Sequence, residues 1–114
     1  MAEQEAGTGA FYVFVDENSE VVGRFNLYDF LDRTTRVGYR IAERVSGHGV
    51  ATSGLRTLCG IARENFGLLT LTAVTSNENV ASQRVLLKAG FAYVASTEVS
   101  GRRGALFDID LVAH

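Results

Sequence analysis

The 114-residue sequence has no proline, a single cysteine and no long apolar run. Without proline no pyrrolidine ring stiffens the backbone, and twelve glycines are left to set its turns. A lone cysteine, Cys59, excludes an internal disulfide. No apolar stretch approaches the ~18 residues of a membrane-spanning helix, and the acidic opening MAEQEAGTGA lacks the apolar segment of a secretory signal. A basic excess is missing too: the formal charge is −2, which argues against nucleic acid as the principal partner. The two histidines, His48 and the terminal His114, make no ligand cluster with Cys59, so no metal is expected. What is there is an ordinary globular mixture, 46% hydrophobic and 21% charged, long enough for one compact domain and too short for two. The expectation is a soluble, cytoplasmic protein whose sites share one core.

Residues 1–9 are small and polar and read as a flexible tail, with a single domain over residues 10–114. Residues 11–15 (FYVFV) and 21–28 are aromatic and β-branched, separated by the turn formers Asp16, Glu17, Asn18 and Ser19, and predict a hairpin. After a polar stretch at 29–35, Val37, Tyr39 and Ile41 alternate with Gly38 and Arg40 as in a third strand. Ala51, Leu55, Leu58, Cys59, Ala62 and Phe66 then fall on one stripe of a 3.6-residue period, a helix closed by Gly67. Residues 68–74 read as a strand and 79–88 as a second helix, with Val80, Val85, Leu86 and Ala89 apolar and Gly90 as its cap. Two further strands, 91–99 and 105–111, flank a turn at 100–104. The order is βββ-α-β-α-ββ, an α+β fold with a mixed, mostly antiparallel sheet. The crossover through the first helix makes the strands around Tyr39 and Leu71 parallel neighbours.

The segment Arg44-Val45-Ser46-Gly47-His48-Gly49 joins a strand to the N-terminus of the longer helix, where unpartnered N–H groups and a positive dipole end attract anions. Gly47 and Gly49 allow backbone amides to approach a diphosphate, and Thr52 adds a hydroxyl in the first turn. The same glycines equally suit a tight turn with no ligand. The spacing matches neither a Walker loop nor a dinucleotide fingerprint.

The run GYRIAERVSGHGVAT resembles the acetyl-CoA signature of the GNAT superfamily of N-acetyltransferases, whose Arg/Gln-x-x-Gly-x-Gly/Ala loop appears as Arg44, Gly47 and Gly49. The run TSNENVASQRVLLKAGF is similar to the second cofactor segment of the branch that includes ribosomal-protein N-terminal acetyltransferases. The resemblance implies acetyl-CoA as cosubstrate and a primary amine as acceptor, on a protein N-terminus or a small molecule. It implies that Tyr39, Arg40 and Ile41 present a strand edge to the pantetheine arm, and that amides of Val45, Ser46, Gly47, His48, Gly49 and Val50 hold the pyrophosphate. Asn79 would bond the pantetheine or the reacting carbonyl region, and Ser82 would donate to the departing thiolate.

The sequence also departs from that pattern. Relatives often carry a tyrosine as thiolate acid where Leu86 stands, and a glutamate base where Arg36 stands, leaving Asp29, Asp32 or water for that role. The usual opening strand and two helices, a wall of the acceptor cleft, have no counterpart ahead of the first strand run. Two rival readings follow: a CoA-binding fragment or regulatory module without turnover, and a structural homodimerising domain that pairs through an exposed edge at residues 11–15. A homodimer is expected in either case. Cys59 reads as a buried small hydrophobe, Arg102 and Arg103 as a solvated turn, and Arg84 as surface charge or a neighbour of the adenosine phosphate.

Overall fold

The computed structural model describes residues 2–6, 9–15, 17–41 and 49–112. Its elements run β1 (Ala2–Ala6), β2 (Gly9–Val15), β3 (Val21–Leu31), β4 (Thr34–Ile41), α1 (Val50–Phe66), β5 (Thr70–Ser76), α2 (Val80–Ala89), β6 (Ala92–Val99) and β7 (Arg102–Asp110). The seven strands form one sheet in the order β1-β2-β3-β4-β5-β7-β6. Only β4 and β5 are parallel neighbours, as the crossover through α1 requires. From β2 onward the order is βββ-α-β-α-ββ, the α+β arrangement that periodicity predicts.

Two places differ from the expectation. Ala2–Ala6, expected as a tail, pairs antiparallel with β2 from Ala2↔Val13 to Ala6↔Gly9. The alternation of AEQEA is too polar to announce a strand, and the neighbouring strand supplies the ladder that its own residues do not predict. Phe11, Tyr12 and Val13 are therefore not the exposed edge that a chain starting at β2 would leave. The second difference is the β3–β4 hairpin, which runs three residues beyond Tyr28. Asp29 takes a left-handed conformation that bulges the strand, and Asp32 and Arg33, both with positive φ, make the tight turn before β4.

Strand alternation puts Tyr12, Phe25, Leu27, Val37, Leu71, Ala73, Phe107 and Ile109 on one face, all of them buried. Leu55, Leu58 and Ala62 of α1 and Leu86 and Ala89 of α2 fill the same core. Val80, placed on the second helix's apolar stripe by its spacing, is exposed at the first helical position instead. Helix α1 lies so close to β3 that Gly54 is buried, and a Cβ there would overlap the Phe25 ring. Both helices thus cover one face, and the other presents Arg24, Asn26, Tyr28, Arg36, Arg40, Thr72 and Asp108. Among the described residues no helix is long and apolar enough to cross a membrane.

Candidate active site

Strands β4 and β5 stay together for three residue pairs only, Thr34↔Thr70, Thr35↔Leu71 and Arg36↔Thr72. Beyond that point β4 continues on β3 as far as Gly23↔Ile41, and β5 continues on β7 as far as Ser76↔Gly104. The two middle strands part and leave a gap in the sheet. Residues 37–41 and 73–76 face it with N–H and C=O groups that have no ladder partner across it, an edge on which an extended group can dock as an added strand would. Tyr39, Arg40 and Ile41 lie on that edge.

The first turn of α2 closes the gap on the helix-covered side. Asn79 is its N-cap and accepts a hydrogen bond from the Ser82 amide at 3.1 Å, a common way to satisfy a free N–H at a helix start. Tyr39 points from β4 toward the same turn. Its hydroxyl lies 2.7 Å from Ser82 Oγ and also donates to the Ser82 carbonyl at 3.4 Å. The ring stacks on Phe25 with centroids 5.7 Å apart, which fixes its aim. Burial pushes the Tyr39 phenol above its ordinary value, against a smaller opposing effect of the Ser82 bond, so it stays protonated through the neutral range. Asn79, Ser82 and Tyr39 thus come together at one corner. The phenol is the part that the sequence did not announce, because its partner lies 43 residues away.

The start of α1 forms the other half. Gly49 is the N-cap, with φ +76° and free space where a side chain would stand, and no side chain caps the helix. No acidic residue occupies the first turn. The amides of this turn are consequently available to an anion, and a recess beside them is lined by Gly49, Thr52, Ser53, Arg56 and Lys88. Arg56 donates to the Lys88 carbonyl at 2.8 Å, tying α1 to the end of α2. This donor set, with cations and uncapped amides together, fits the phosphates of a CoA molecule. Val50 and Thr52 lie in this turn; Arg44, Val45, Ser46, Gly47 and His48 lie outside the described residues.

The remaining candidates sort by place. Leu86 is fully buried in the core. Asp29 and Asp32 stand at the β3–β4 turn, at the opposite end of β4 from the gap, so neither lines it. Cys59 is half-buried on α1 and burial pushes its thiol up to about 11, a structural thiol rather than a nucleophile. Arg102 pairs with Glu78 at 2.9 Å on the surface. Among the described residues no three potential metal ligands gather.

A sheet that opens beside two helix starts is a fold others share. A mutant of the spermidine N-acetyltransferase SpeG from Vibrio cholerae superposes with a TM-score of 0.82 at 15% identity, over 91% of this chain and 66% of that one. The ribosomal-protein-S5-alanine acetyltransferase from Vibrio fischeri superposes with a TM-score of 0.83 at 17% identity, over 90% of this chain and 61% of that one. The chain therefore spans about two thirds of the length of these structures or somewhat less. No curated protein matches the sequence. Residues 1–92 match the family described as the acetyltransferase (GNAT) domain, so most of the chain, including the split sheet and both helix starts, belongs to the GNAT acetyltransferase family.

Proposed function

We propose that the protein is an acetyl-CoA-dependent N-acetyltransferase that moves an acetyl group to a primary amine by direct attack. The observation that carries this reading is the Tyr39–Ser82 pair at 2.7 Å beside the gap, two hydroxyls able to relay a proton to a group lying in it. Acetyl-CoA supplies a thioester whose carbonyl carbon takes the amine lone pair, so that a C–N bond forms as the C–S bond breaks. Ser82 Oγ–H donates to the sulfur, the Tyr39 hydroxyl replaces that proton, and the proton that the attacking nitrogen sheds as the amide forms returns to the Tyr39 oxygen through water. The ammonium proton of the acceptor goes to water, since Asp29 and Asp32 are remote. The N-terminal end of α2 adds its positive dipole at the place where negative charge develops.

Binding falls to the two strand edges and to α1. Residues 39–41 hold the pantetheine arm, with Asn79 beside it. Gly49, Val50 and Thr52 hold phosphate oxygens, with the loop Arg44 to His48 completing the cradle. The active species is a homodimer in the cytoplasm. The fold is shared with a spermidine N-acetyltransferase and a ribosomal-protein-S5-alanine acetyltransferase, so the amines to be tried include spermidine and a peptide.

Thermal unfolding with and without acetyl-CoA tests the binding half, because a ligand of the native state raises the melting temperature by mass action. Gly49→Ala places a side chain at positive φ and crowds the phosphate, so the shift over that variant's own baseline should fall by more than half. An equal shift in both proteins would put the ligand elsewhere. Thiol release over an amine panel then separates an enzyme from a module that binds without turnover.

A further inference from the structure

The sheet face opposite the helices carries charge that none of these roles uses. Alternation along β4 puts Arg36, Gly38 and Arg40 on this face, because Val37 and Tyr39 point the other way. The register sets Arg24 directly across from Arg40, and Tyr28 across from Arg36. Like charges directly opposite one another on a strand pair are destabilising unless something anionic lies over them. Three arginines on one strand pair are conspicuous in a chain whose net charge is −2.

Arg36 holds the decisive position. It is half-buried and belongs to the last β4–β5 pair before the strands part. Its Nε donates to Thr72 Oγ1 at 3.5 Å, which lays the guanidinium over the floor of the gap. Among the described residues its terminal nitrogens have no hydrogen-bond or ion-pair partner. The acidic residue in the same row, Asp108, stands across from Thr72, two strand spacings or roughly 10 Å away. The Tyr28 ring lies against Gly38, 3.4 Å from where a Cβ would stand, and walls the floor on the β3 side. A planar cation whose terminal nitrogens are free among the described residues, beside a hydroxyl and an aromatic face, suits bidentate capture of a carboxylate.

We propose that Arg36 recognises the acceptor, binding the carboxylate of an aminocarboxylate so that the neighbouring amine points up the gap toward the Tyr39–Ser82 corner. The inference rests on the acetyltransferase reading and names its substrate class. A polyamine, cationic throughout, is repelled from the same floor. The guanidinium also disfavours the ammonium form of a bound amine, so the acceptor reaches the gap as the free base after losing its proton to water.

Acceptor specificity tests the assignment. Thiol release is measured with a free amino acid, the same amino acid as its amide, spermidine, and a peptide with aspartate as its second residue, for the wild type, Arg36→Gln and Arg36→Lys. The expected result is a preference for acid over amide of about tenfold or more in kcat/KM, with spermidine below both. Arg36→Gln should remove the preference by raising KM for the acid alone, and Arg36→Lys should keep part of it. A peptide that outruns the free amino acid and loses that lead in Arg36→Gln supports the same carboxylate site with a protein N-terminus as the source. Amide or spermidine used as well as the acid by the wild type overturns the proposal, as does an equal loss for every acceptor in Arg36→Gln. Calorimetry of the amino acid against CoA-saturated protein decides the matter even without turnover: no heat that depends on Arg36 overturns the assignment. Failure to bind acetyl-CoA would instead overturn the acetyltransferase reading.

Discussion

At the scale of single residues, the Tyr39–Ser82 contact makes the sharpest demand. A donor to a leaving group acts in the transition state, so its removal lowers kcat and leaves KM little changed. Tyr39→Phe keeps the ring stacked on Phe25 and deletes only the hydroxyl, so the fold is preserved while the proton chain is cut. The expected loss in kcat is ~10- to 100-fold, as is common for general acids. Ser82→Ala should cost at least as much, and the double variant no more than the worse single one, because the two hydroxyls act in series. Since burial raises the Tyr39 value, the alkaline limb that this phenol imposes on kcat should lie above the ordinary tyrosine range near 10 and vanish in Tyr39→Phe. The stability linkage has the same sign: the protonated phenol's share is complete below the unfolded-state value and is lost as pH rises through the folded one. A kcat for Tyr39→Phe equal to that of the wild type would assign the proton to water.

At the scale of elements, what was legible in the sequence and what was not have a common cause. Periodicity announced α1, β5, α2 and β7 because their buried stripes repeat locally: Leu55, Leu58 and Ala62 on one, Leu71 and Ala73 on another. The Asn79 cap acts on Ser82, only three residues away, yet the pattern starts the helix at residue 79 and misses the cap. The Tyr39 phenol and the Arg36 guanidinium meet Ser82 and Thr72, 43 and 36 residues away, and local pattern carries no signal for either contact, while the strand at Ala2–Ala6 pairs with its sequence neighbour but is too polar to read as a strand. Gly54 is an intermediate case. Glycine inside a helix costs ~1 kcal/mol relative to alanine, so its presence at mid-helix hints at a neighbour too close for a side chain. That neighbour is Phe25: a Cβ at Gly54 would stand 2.8 Å from its Cε1 and 3.1 Å from Phe14. The ring cannot move away cheaply, since it is fully buried between Phe14 and Tyr39. Overpacking costs about 1–3 kcal/mol, which outweighs the helix-propensity gain. Gly54→Ala should therefore lower the melting temperature, and by pressing Phe25 against Tyr39 it should lower kcat as well. A higher melting temperature would mean that α1 rides farther from β3.

At the scale of the whole molecule, the question is which surface joins two copies, because β1 covers Phe11, Tyr12 and Val13. Edge pairing through β6 is disfavoured, since the ladder slips between Tyr93 and Ala95 and a bulge twists an edge away from partners. A different surface is more apolar. Leu31, at the β3–β4 turn, is 72% exposed, and Val112, after β7, is 64% exposed. Exposed Leu69 joins them through the backbone, its N–H on the Arg33 carbonyl and its carbonyl on the Leu111 N–H. These three aliphatic side chains gather at the end of the sheet where β4 and β5 are paired, away from the gap. Covering such surface is worth roughly 25 cal/mol per Å² before the cost of docking, and a twofold arrangement covers both copies at once. Sedimentation at micromolar concentration should then give a dimer, and Leu31→Glu, which brings a charge into that contact, should give a monomer. Because the contact lies away from the gap, the melting shift produced by acetyl-CoA should be the same in both proteins. A wild-type monomer would rule the contact out. A Leu31→Glu protein that loses its acetyl-CoA shift along with its partner would show instead that the second copy helps to build the site.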